Sequence, residues 1–375
     1  MGDPTDPRPS ECRRVLNEDQ SRALARAALG CLGKSLRRRA LRRAEATASE
    51  DWDEEEEERA QAAGEEEVEL HVNLAELLGF LFKTHGEAFF PAFEELLLPS
   101  VLEMAHPDSL PEDRKVAVHV LDHALEFANP AASVLLPSTV PLLLEACSDS
   151  SPSVSLPALF GVGVSAATYG PAFVPFAEQS LNVLVEVVLR PDARQADHEL
   201  ATDNAVSALG SLLEAQRDSL GGAEGVGRAW ELWLGYMPLR ADEEEAEKVA
   251  QQLCRLLTAS PLADAEAVLG RRLERLPAAL AALAEMAGSE LVGPEVRQQV
   301  GQAILTLQRG GGGGGGAGAG GASVTVAPGG GAPEADGDRG VPVASFAAAA
   351  AGLGPERKSW LDAAAAEYSA LCHRV

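Results

Sequence analysis

The sequence contains few aromatic residues and few positive charges. Only 5% of its 375 residues are Phe, Trp or Tyr, although 46% are hydrophobic. A β-sandwich draws on aromatic and β-branched residues, so this composition favours packed helices rich in Leu, Ala and Val. The chain has 31 Lys and Arg residues against 57 Asp and Glu, which gives a net charge of −26. Because phosphate binding needs a basic surface, we expect no nucleic acid partner, and a basic protein or peptide is the natural one.

Cysteine is scarce and scattered. The five cysteines lie far apart and form no CxxC pair, so the sequence predicts neither a zinc site nor a disulfide framework. This usage fits a reduced cytosolic or nuclear compartment. The opening residues, MGDPTDPRPSECRR, lack the apolar core of a secretory signal.

One long stretch has no charge at all. The residues from 150 to 177 carry none, which is long enough to span a bilayer. Four prolines and three glycines interrupt the stretch and no basic cluster flanks it, so we expect buried helices and no membrane insertion. Its GVGVSA sequence lacks the preceding strand and the third glycine of a phosphate-binding loop. We interpret Gly161 and Gly163 as positions where a neighbouring helix comes close.

Pairs of apolar helices recur along the chain. The first helix of a pair begins near Pro or Gly, as at 87–105, 129–147 and 170–188, and its Leu and Val residues are spaced three and four apart. A short polar turn and a second helix follow. The second helices are predicted at 68–84, 111–128, 152–168, 198–215, 242–257 and 293–308.

These second helices share one register. Aligned by their apolar positions, they have equivalent points 46, 41, 44, 47 and 51 residues apart. The equivalent points are Asn73, His119, Phe160, Asn204, Gln251 and Gln302. A two-helix period of about 40–47 residues is typical of HEAT and armadillo arrays. The predicted fold class is therefore all-α, a HEAT-repeat α-solenoid of about six helix pairs with a disordered Gly-rich insertion.

We divide the chain into five segments. The boundaries are 1–12 for a disordered N-terminus, 13–63 for a basic helix and an acidic linker, 64–308 for the HEAT-repeat array, 309–342 for a flexible Gly-rich insertion, and 343–375 for C-terminal capping helices. The insertion contains seven consecutive glycines, whose ordering entropy no packing would repay.

The acidic run is the most conspicuous charge feature. Twelve of the 57 acidic residues lie in the 20 positions from 50 to 69. Such a block is usually solvated and flexible, and a solvated linker is the simpler interpretation. In the alternative interpretation the acidic run binds a basic cargo segment. Apolar anchors for such a segment are one interpretation of Trp52, Trp230 and Trp233, and packing residues are the other. The candidate cargo-binding residues of this run are Asp53, Glu54, Glu55, Glu56, Glu57 and Glu58.

Further candidates come from the second helices, which usually line the inner face of such arrays. Asp122, Glu126, Asp203 and Glu247 are predicted to be exposed acids that bind a lysine-rich tail, and ordinary polar exposure or bonding between repeats is the competing interpretation. Asn204 is placed to hydrogen-bond the backbone of an extended peptide.

The basic sequence SLRRRALRRAEA, just before the acidic run, has three interpretations. It fits a localisation signal, an RNA-binding patch, or a helix whose basic face compensates the acids that follow. We favour the third.

No catalytic or metal site is expected. His119 and His123 are four residues apart, but Val120 stands where a metalloprotease helix has Glu, and His119 lies at an apolar position of the register. Scattered Cys and His residues suggest no nucleophile–base pair. We therefore predict no enzyme activity, no cofactor and no metal.

The order of several segments resembles the importin-beta superfamily of nuclear transport receptors, most closely the C-terminal part of the beta-3 karyopherin type. The resemblance covers roughly 30–308 and 345–371. The segments that carry it are EDWDEEEEE, FPAFEELLLPSVLEM, PEDRKVAVHVLDHALEF, LLEACSDSSPSVSLPALFGVGVSAATYGPAFVPF, ATDNAVSALGSLL, ELWLGYMPLRADEEEAEKVAQQLCRLL and LGPERKSWLDAAAAEYSA. In the family pattern an Arg follows the repeat turn where this chain has Ser155, and the Gly-rich insertion is not part of the pattern.

The resemblance implies a function in transport. It implies a receptor that shuttles between cytoplasm and nucleus and binds the Ran GTPase, FG-repeat nucleoporins and basic cargo proteins such as ribosomal proteins or histones. The family's N-terminal repeats, which carry most of the Ran-GTP binding, have no counterpart in this sequence, so we expect the chain to correspond to a C-terminal fragment. A HEAT-repeat scaffold or assembly factor for basic proteins is the alternative function.

Overall fold

A computed structural model describes residues 16–48, 54–258, 263–310 and 346–372. Within these ranges the regular structure is helical and contains no strand, which confirms the all-α prediction. No helix in this part of the chain has the length and apolar character needed to cross a bilayer. The chain divides into two compact units, Met1–Val187 and Val188–Val375.

The described residues of the first unit form seven α-helices. They are α1 (Glu18–Ala48), α2 (Glu54–Leu96), α3 (Leu98–Met104), α4 (Pro111–Phe127), α5 (Leu136–Ala146), α6 (Pro152–Thr168) and α7 (Val174–Val188), the last of which reaches one residue past the unit's end. Helices α1, α2, α4 and α6 pack in succession, each against the next. Prolines at the first or second position fix where α3, α4, α5 and α6 begin, because a proline there loses no helical hydrogen bond.

Helix α2 is bent at Gly86, so that it contains one second helix and the next first helix. Gly86 has φ 40° and ψ −118°, a backbone conformation that favours glycine, and a Cβ there would lie 2.6 Å from the carbonyl oxygen of Phe127. Three of the chain's few aromatic side chains pack together at this bend. The ring of Phe82 contacts those of Phe89 and Phe93 edge to face, each with centroids 5.0 Å apart.

Eight further α-helices lie in the part of the second unit that the structure describes. They are α8 (Ala196–Gln216), α9 (Ala223–Gly235), α10 (Glu243–Thr258), α11 (Ala263–Leu269), α12 (Leu276–Gly288), α13 (Pro294–Gly310), α14 (Phe346–Ala351) and α15 (Pro355–Cys372). Helices α8, α10 and α13 are the predicted second helices, and they contact one another in that order. The two helices α14 and α15 fall in the predicted capping segment and pack against α12 and α13.

The six equivalent points of the predicted register have similar exposure. None of them is buried: three are exposed and three are half-buried. His119, which was expected at an apolar position, is half-buried.

The predicted acidic linker differs from the structure. Helix α2 begins at Glu54, inside the predicted linker, and is helical throughout the rest of it. Helix α1 packs against α2, so the basic helix and part of the acidic run belong to the first helix pair. Glutamate is a good helix former, which explains how an acidic run is accommodated in a helix. The predicted insertion, from 311 on, lies outside the described residues.

Candidate functional site

The acidic run is described only in part. Asp53 and Trp52 lie outside the described residues, as do the side chains of Glu54, Glu55, Glu56 and Glu57, whose backbone begins α2. Glu58 is described and exposed. Exposed glutamates also continue along the helix, and these were not among the predicted site residues. They are Glu65, Glu66, Glu69 and Glu76.

Asp122 is buried, and the prediction that it is an exposed acid is wrong. Its exposed fraction is 3%, and neither carboxyl oxygen has a hydrogen-bond partner among the described residues. It faces α6, where a Cβ on Gly161 would lie 2.0 Å from Asp122 Oδ1. Gly161 is therefore a point of close helix approach, as predicted. Burial raises the pKa of Asp122 well above its usual value, and the charge of Glu126 adds to the rise, so the buried site favours the protonated form.

Asp203 is also buried, with an exposed fraction of 0%, and its predicted exposure is wrong for a different reason. Its Oδ2 accepts hydrogen bonds from the backbone N–H groups of Arg240, Ala241 and Asp242 at 2.8, 2.7 and 3.3 Å. Its Oδ1 accepts from Arg194 Nη1 at 3.2 Å. Asp203 thus ties α8 to the turn that begins α10. Burial raises the pKa of Asp203, and these four donors offset only part of that effect.

The remaining candidates are closer to solvent. Glu126 is exposed, Asn204 and Glu247 are half-buried. The amide nitrogen of Asn204 donates to Leu200 O at 3.0 Å and to Asp242 Oδ2 at 3.1 Å, so it serves inter-helix bonding. Glu247 Oε1 accepts from the backbone N–H of Gly293 at 2.8 Å, which links α10 to the start of α13.

The basic helix compensates acids that follow it, as we predicted. Arg38 Nε and Arg42 Nη2 donate to Glu67 Oε1 at 2.6 and 3.0 Å, and Arg39 donates to Asp113. The Arg38 hydrogen bond is the main cause that lowers the pKa of Glu67 to about 2; burial opposes it, and Ser35 and Arg42 assist. These arginines are committed to holding α1 against α2 and α4.

The same cluster contains a serine, a histidine and an aspartate in line. Ser35 Oγ lies 2.8 Å from His71 Nε2, and His71 Nδ1 lies 3.5 Å from Asp113 Oδ1. The ionised Glu67 can only accept, so Ser35 donates its proton to Glu67 and accepts one from His71. This direction is opposite to that of a nucleophilic serine, which donates to its histidine. With all of these side chains buried, the arrangement is a structural polar network.

His119 and His123 do not form part of a larger ligand set. No group of three or more His, Cys, Asp or Glu side chains suited to a metal ion occurs in the described residues. Burial is the main cause that lowers the pKa of both histidines. The charges of Lys115 and His123 lower the pKa of His119 further. The charge of Lys83 does the same for His123. The ring of His123 lies against Gly79 and stacks on Phe127 at 6.0 Å, which is a packing role.

Trp230 and Trp233 are packing residues. Both have an exposed fraction of 0%, and their rings contact edge to face at 5.2 Å. Trp233 Nε1 donates to Val206 O at 3.1 Å, which joins α9 to α8. Of the two interpretations of these residues, the structure supports packing.

An open groove lies between α9 and α11 in the second unit, with a volume of about 790 Å³. Its walls include Leu220, Val226 and Trp230 as well as Arg271. The lining of the groove therefore mixes apolar side chains with charged side chains of both signs.

Comparison with known proteins places these helices in a family context. The family model "Importin repeat 6" matches residues 13–107, which covers α1, α2 and α3. A probable importin-5 homolog of Dictyostelium discoideum is 28% identical over 189 residues, which are 49% of this chain and 17% of that protein.

Solved structures agree with this match. The crystal structure of the karyopherin Kap121p bound to the SUMO protease Ulp1p aligns with a TM-score of 0.55 at 16% identity, over 78% of this chain and 25% of that one. The crystal structure of Kap121p bound to RanGTP aligns with a TM-score of 0.56 at 14% identity, over 79% of this chain and 25% of that one. At this identity the likeness shows the fold, a HEAT-repeat solenoid.

The chain thus spans about a sixth of the curated relative and a quarter of Kap121p. The repeated helix pairs, the importin repeat at 13–107 and the shared fold all support the similarity of this chain to the importin-beta superfamily.

Proposed function

We propose that this chain serves as part of a nuclear transport receptor of the beta-3 karyopherin type, which binds basic cargo and carries it through nuclear pores under the control of Ran. The observation that carries the proposal is the importin repeat at 13–107, together with the fold that the chain shares with Kap121p. The net charge of −26 favours basic partners, such as ribosomal proteins or histones. The implied localisation is the cytoplasm and the nucleus.

Cargo binding by this chain requires several acids to act together. An exposed ion pair contributes only about 0–1 kcal/mol, whereas a micromolar complex needs about 8 kcal/mol. The buried Asp122 and Asp203 do not face solvent, so they are unsuited to this role. The exposed glutamates of α2, which include Glu58, Glu65 and Glu69, are the better candidates.

Pore passage and cargo release belong to the same proposal. In this proposal the groove between α9 and α11, whose lining includes Leu220 and Val226, receives the Phe side chains of FG-repeat nucleoporins. Kap121p has been crystallised with RanGTP, which supports Ran as the partner that releases cargo. Release follows if Ran-GTP and cargo favour different arrangements of the helix pairs.

The test is a binding assay with purified histones or ribosomal proteins immobilised on beads. We expect the chain to be retained at low salt and its retention to fall several-fold as salt approaches physiological strength. Ran-GTP should displace it only weakly, since the repeats that carry most of the family's Ran binding have no counterpart here, and Ran-GDP should not displace it. Retention that ignores salt and Ran-GTP would instead support the alternative function, a HEAT-repeat scaffold. An acidic protein of similar size on the beads is the control for non-specific adhesion.

A further inference from the structure

The exposed face of α2 carries two large apolar side chains. Phe80 is 64% exposed, more than any other large hydrophobic residue in the described part of the chain, and Leu77 is 41% exposed. Their neighbours Leu78, Leu81 and Phe82 are buried, so the helix already has its core-facing side. Phe80 and Leu77 are three residues apart and therefore lie next to each other on the helix surface.

Acidic residues lead up to this apolar pair along the same face. Glu58, Glu65, Glu69 and Glu76 are separated by seven, four and seven residues. At about 100° per residue these four positions fall within about 20° of one line along the helix, and Phe80 lies about 40° from that line. The stripe from Glu58 to Phe80 is about 33 Å long.

The carboxylates of this face are free to meet a partner's charges. All four glutamates are exposed, and neither Glu69 nor Glu76 has an ion pair within the described residues. Glu65 accepts only a long hydrogen bond from Gln61, at 3.5 Å. Lys83 is exposed one turn beyond Phe80, so the negative potential is confined to the N-terminal side of the apolar pair.

We propose that this face of α2 is a docking surface for an extended basic segment of a protein that carries one apolar anchor. Lys and Arg side chains of the segment lie along Glu58, Glu65, Glu69 and Glu76, and an aromatic or leucine side chain packs on Phe80 and Leu77. Charge complementarity selects the occupant, because an acidic or neutral apolar segment would leave the stripe without partners. The apolar contact supplies free energy that exposed ion pairs alone do not. This inference rests on the proposed function and names the site and the anchor of a basic cargo.

The test uses two fluorescein-labelled peptides and fluorescence anisotropy. One peptide is Lys-rich and has a single Phe at its C-terminal end, and the other has Ala in place of that Phe. We expect wild-type chain to bind the Phe peptide about tenfold more tightly than the Ala peptide, and Phe80→Ser to abolish this difference. The triple variant E65Q/E69Q/E76Q should weaken the binding of both peptides about tenfold.

Matched controls separate the site from general effects. Val134→Ser changes another apolar residue that is 60% exposed, and E87Q/E94Q/E103Q removes the same charge from exposed glutamates elsewhere in the first unit. We expect both to bind within twofold of wild type, and circular dichroism melting confirms that every variant is folded.

The outcomes distinguish the two proposals. Equal losses in the two triple variants, or an unchanged Phe preference in Phe80→Ser, would overturn the docking surface while leaving basic cargo binding intact. Wild-type chain that binds histones but neither peptide would do the same. Failure to bind any basic peptide or protein would overturn the proposed function itself.

Discussion

Asp122 and Asp203 occupy similar places in the two units and are held in opposite ways. Both are buried aspartates on second helices, on α4 and α8. Asp203 accepts four hydrogen bonds, three of them from the turn before α10. Asp122 faces a glycine on α6 and has no hydrogen-bond partner in the part of the chain that the structure describes. Asp203 is thus stabilised by hydrogen-bond donors, whereas at Asp122 burial favours the uncharged form of the acid.

The difference follows from what the next helix pair presents. The turn at 239–242 brings its N–H groups onto Asp203, and Arg194 closes the other side. Helix α6 instead presents Gly161, which leaves space and no donor. For both aspartates, the groups that face the buried side chain lie about 40 residues further along the chain, in the next helix pair.

The largest effect is expected from removing the partnered acid. Asp203→Ala leaves three backbone N–H groups and the half-buried Arg194 without their acceptor, so we expect it to lower the free energy of unfolding of the second unit by about 3 kcal/mol. Chemical denaturation followed by circular dichroism measures this. Asp203→Asn keeps one acceptor and should cost clearly less; equal costs, or an unchanged midpoint in Asp203→Ala, would contradict the assigned role.

An intermediate effect is expected at the glycine that faces Asp122. The Cβ of Gly161→Ala would lie 2.0 Å from Asp122 Oδ1 and 3.1 Å from Leu143 Cδ1, so the α4–α6 packing must shift at a cost of about 2 kcal/mol. Because the closest atom belongs to Asp122, the double variant Gly161→Ala/Asp122→Ala should recover much of that loss. A double-mutant cycle with no coupling would show that the two residues do not press on each other.

The smallest effect has the opposite sign. Asp122→Asn replaces a buried neutral acid by an isosteric neutral amide, so we expect it to raise Tm by a few degrees at neutral pH. The folded-state pKa of Asp122 lies above its unfolded value, so the folded state holds the extra proton and wild-type stability falls as pH rises above the usual Asp pKa.

The pH dependence provides the control for this variant. The Tm difference between Asp122→Asn and wild type should be greatest near neutral pH and should vanish as pH falls below about 3.9, where both states of wild type are protonated. A difference that stays constant with pH would mean that Asp122 is ionised in the folded protein.

Much of the fold was predictable because its cause is local. Apolar residues at helical spacing and prolines such as Pro111 and Pro152 located the helix pairs and their starts. Gly161 was correctly interpreted as a close approach, since a glycine inside a helix has little other reason to be there. The acidic run was less predictable, because a block of glutamates is compatible with a solvated linker or an exposed helix face.

The site was harder to predict than the fold. Asp203 precedes the half-buried Asn204, and one residue turns the helix by about 100°, which places Asp203 under the neighbouring pair. Sequence periodicity does not show which flank of a helix its neighbour covers. The stripe from Glu58 to Phe80 did leave a signal in the spacing of its residues, but only the structure shows that Phe80 is on the surface.

The most direct test of the account is amide hydrogen exchange of the full chain with and without the Lys-rich Phe peptide. The account predicts that the peptide slows exchange along 58–84 of α2 and leaves α8, which holds the buried Asp203, unchanged. Protection of α8 with none on α2 would contradict it.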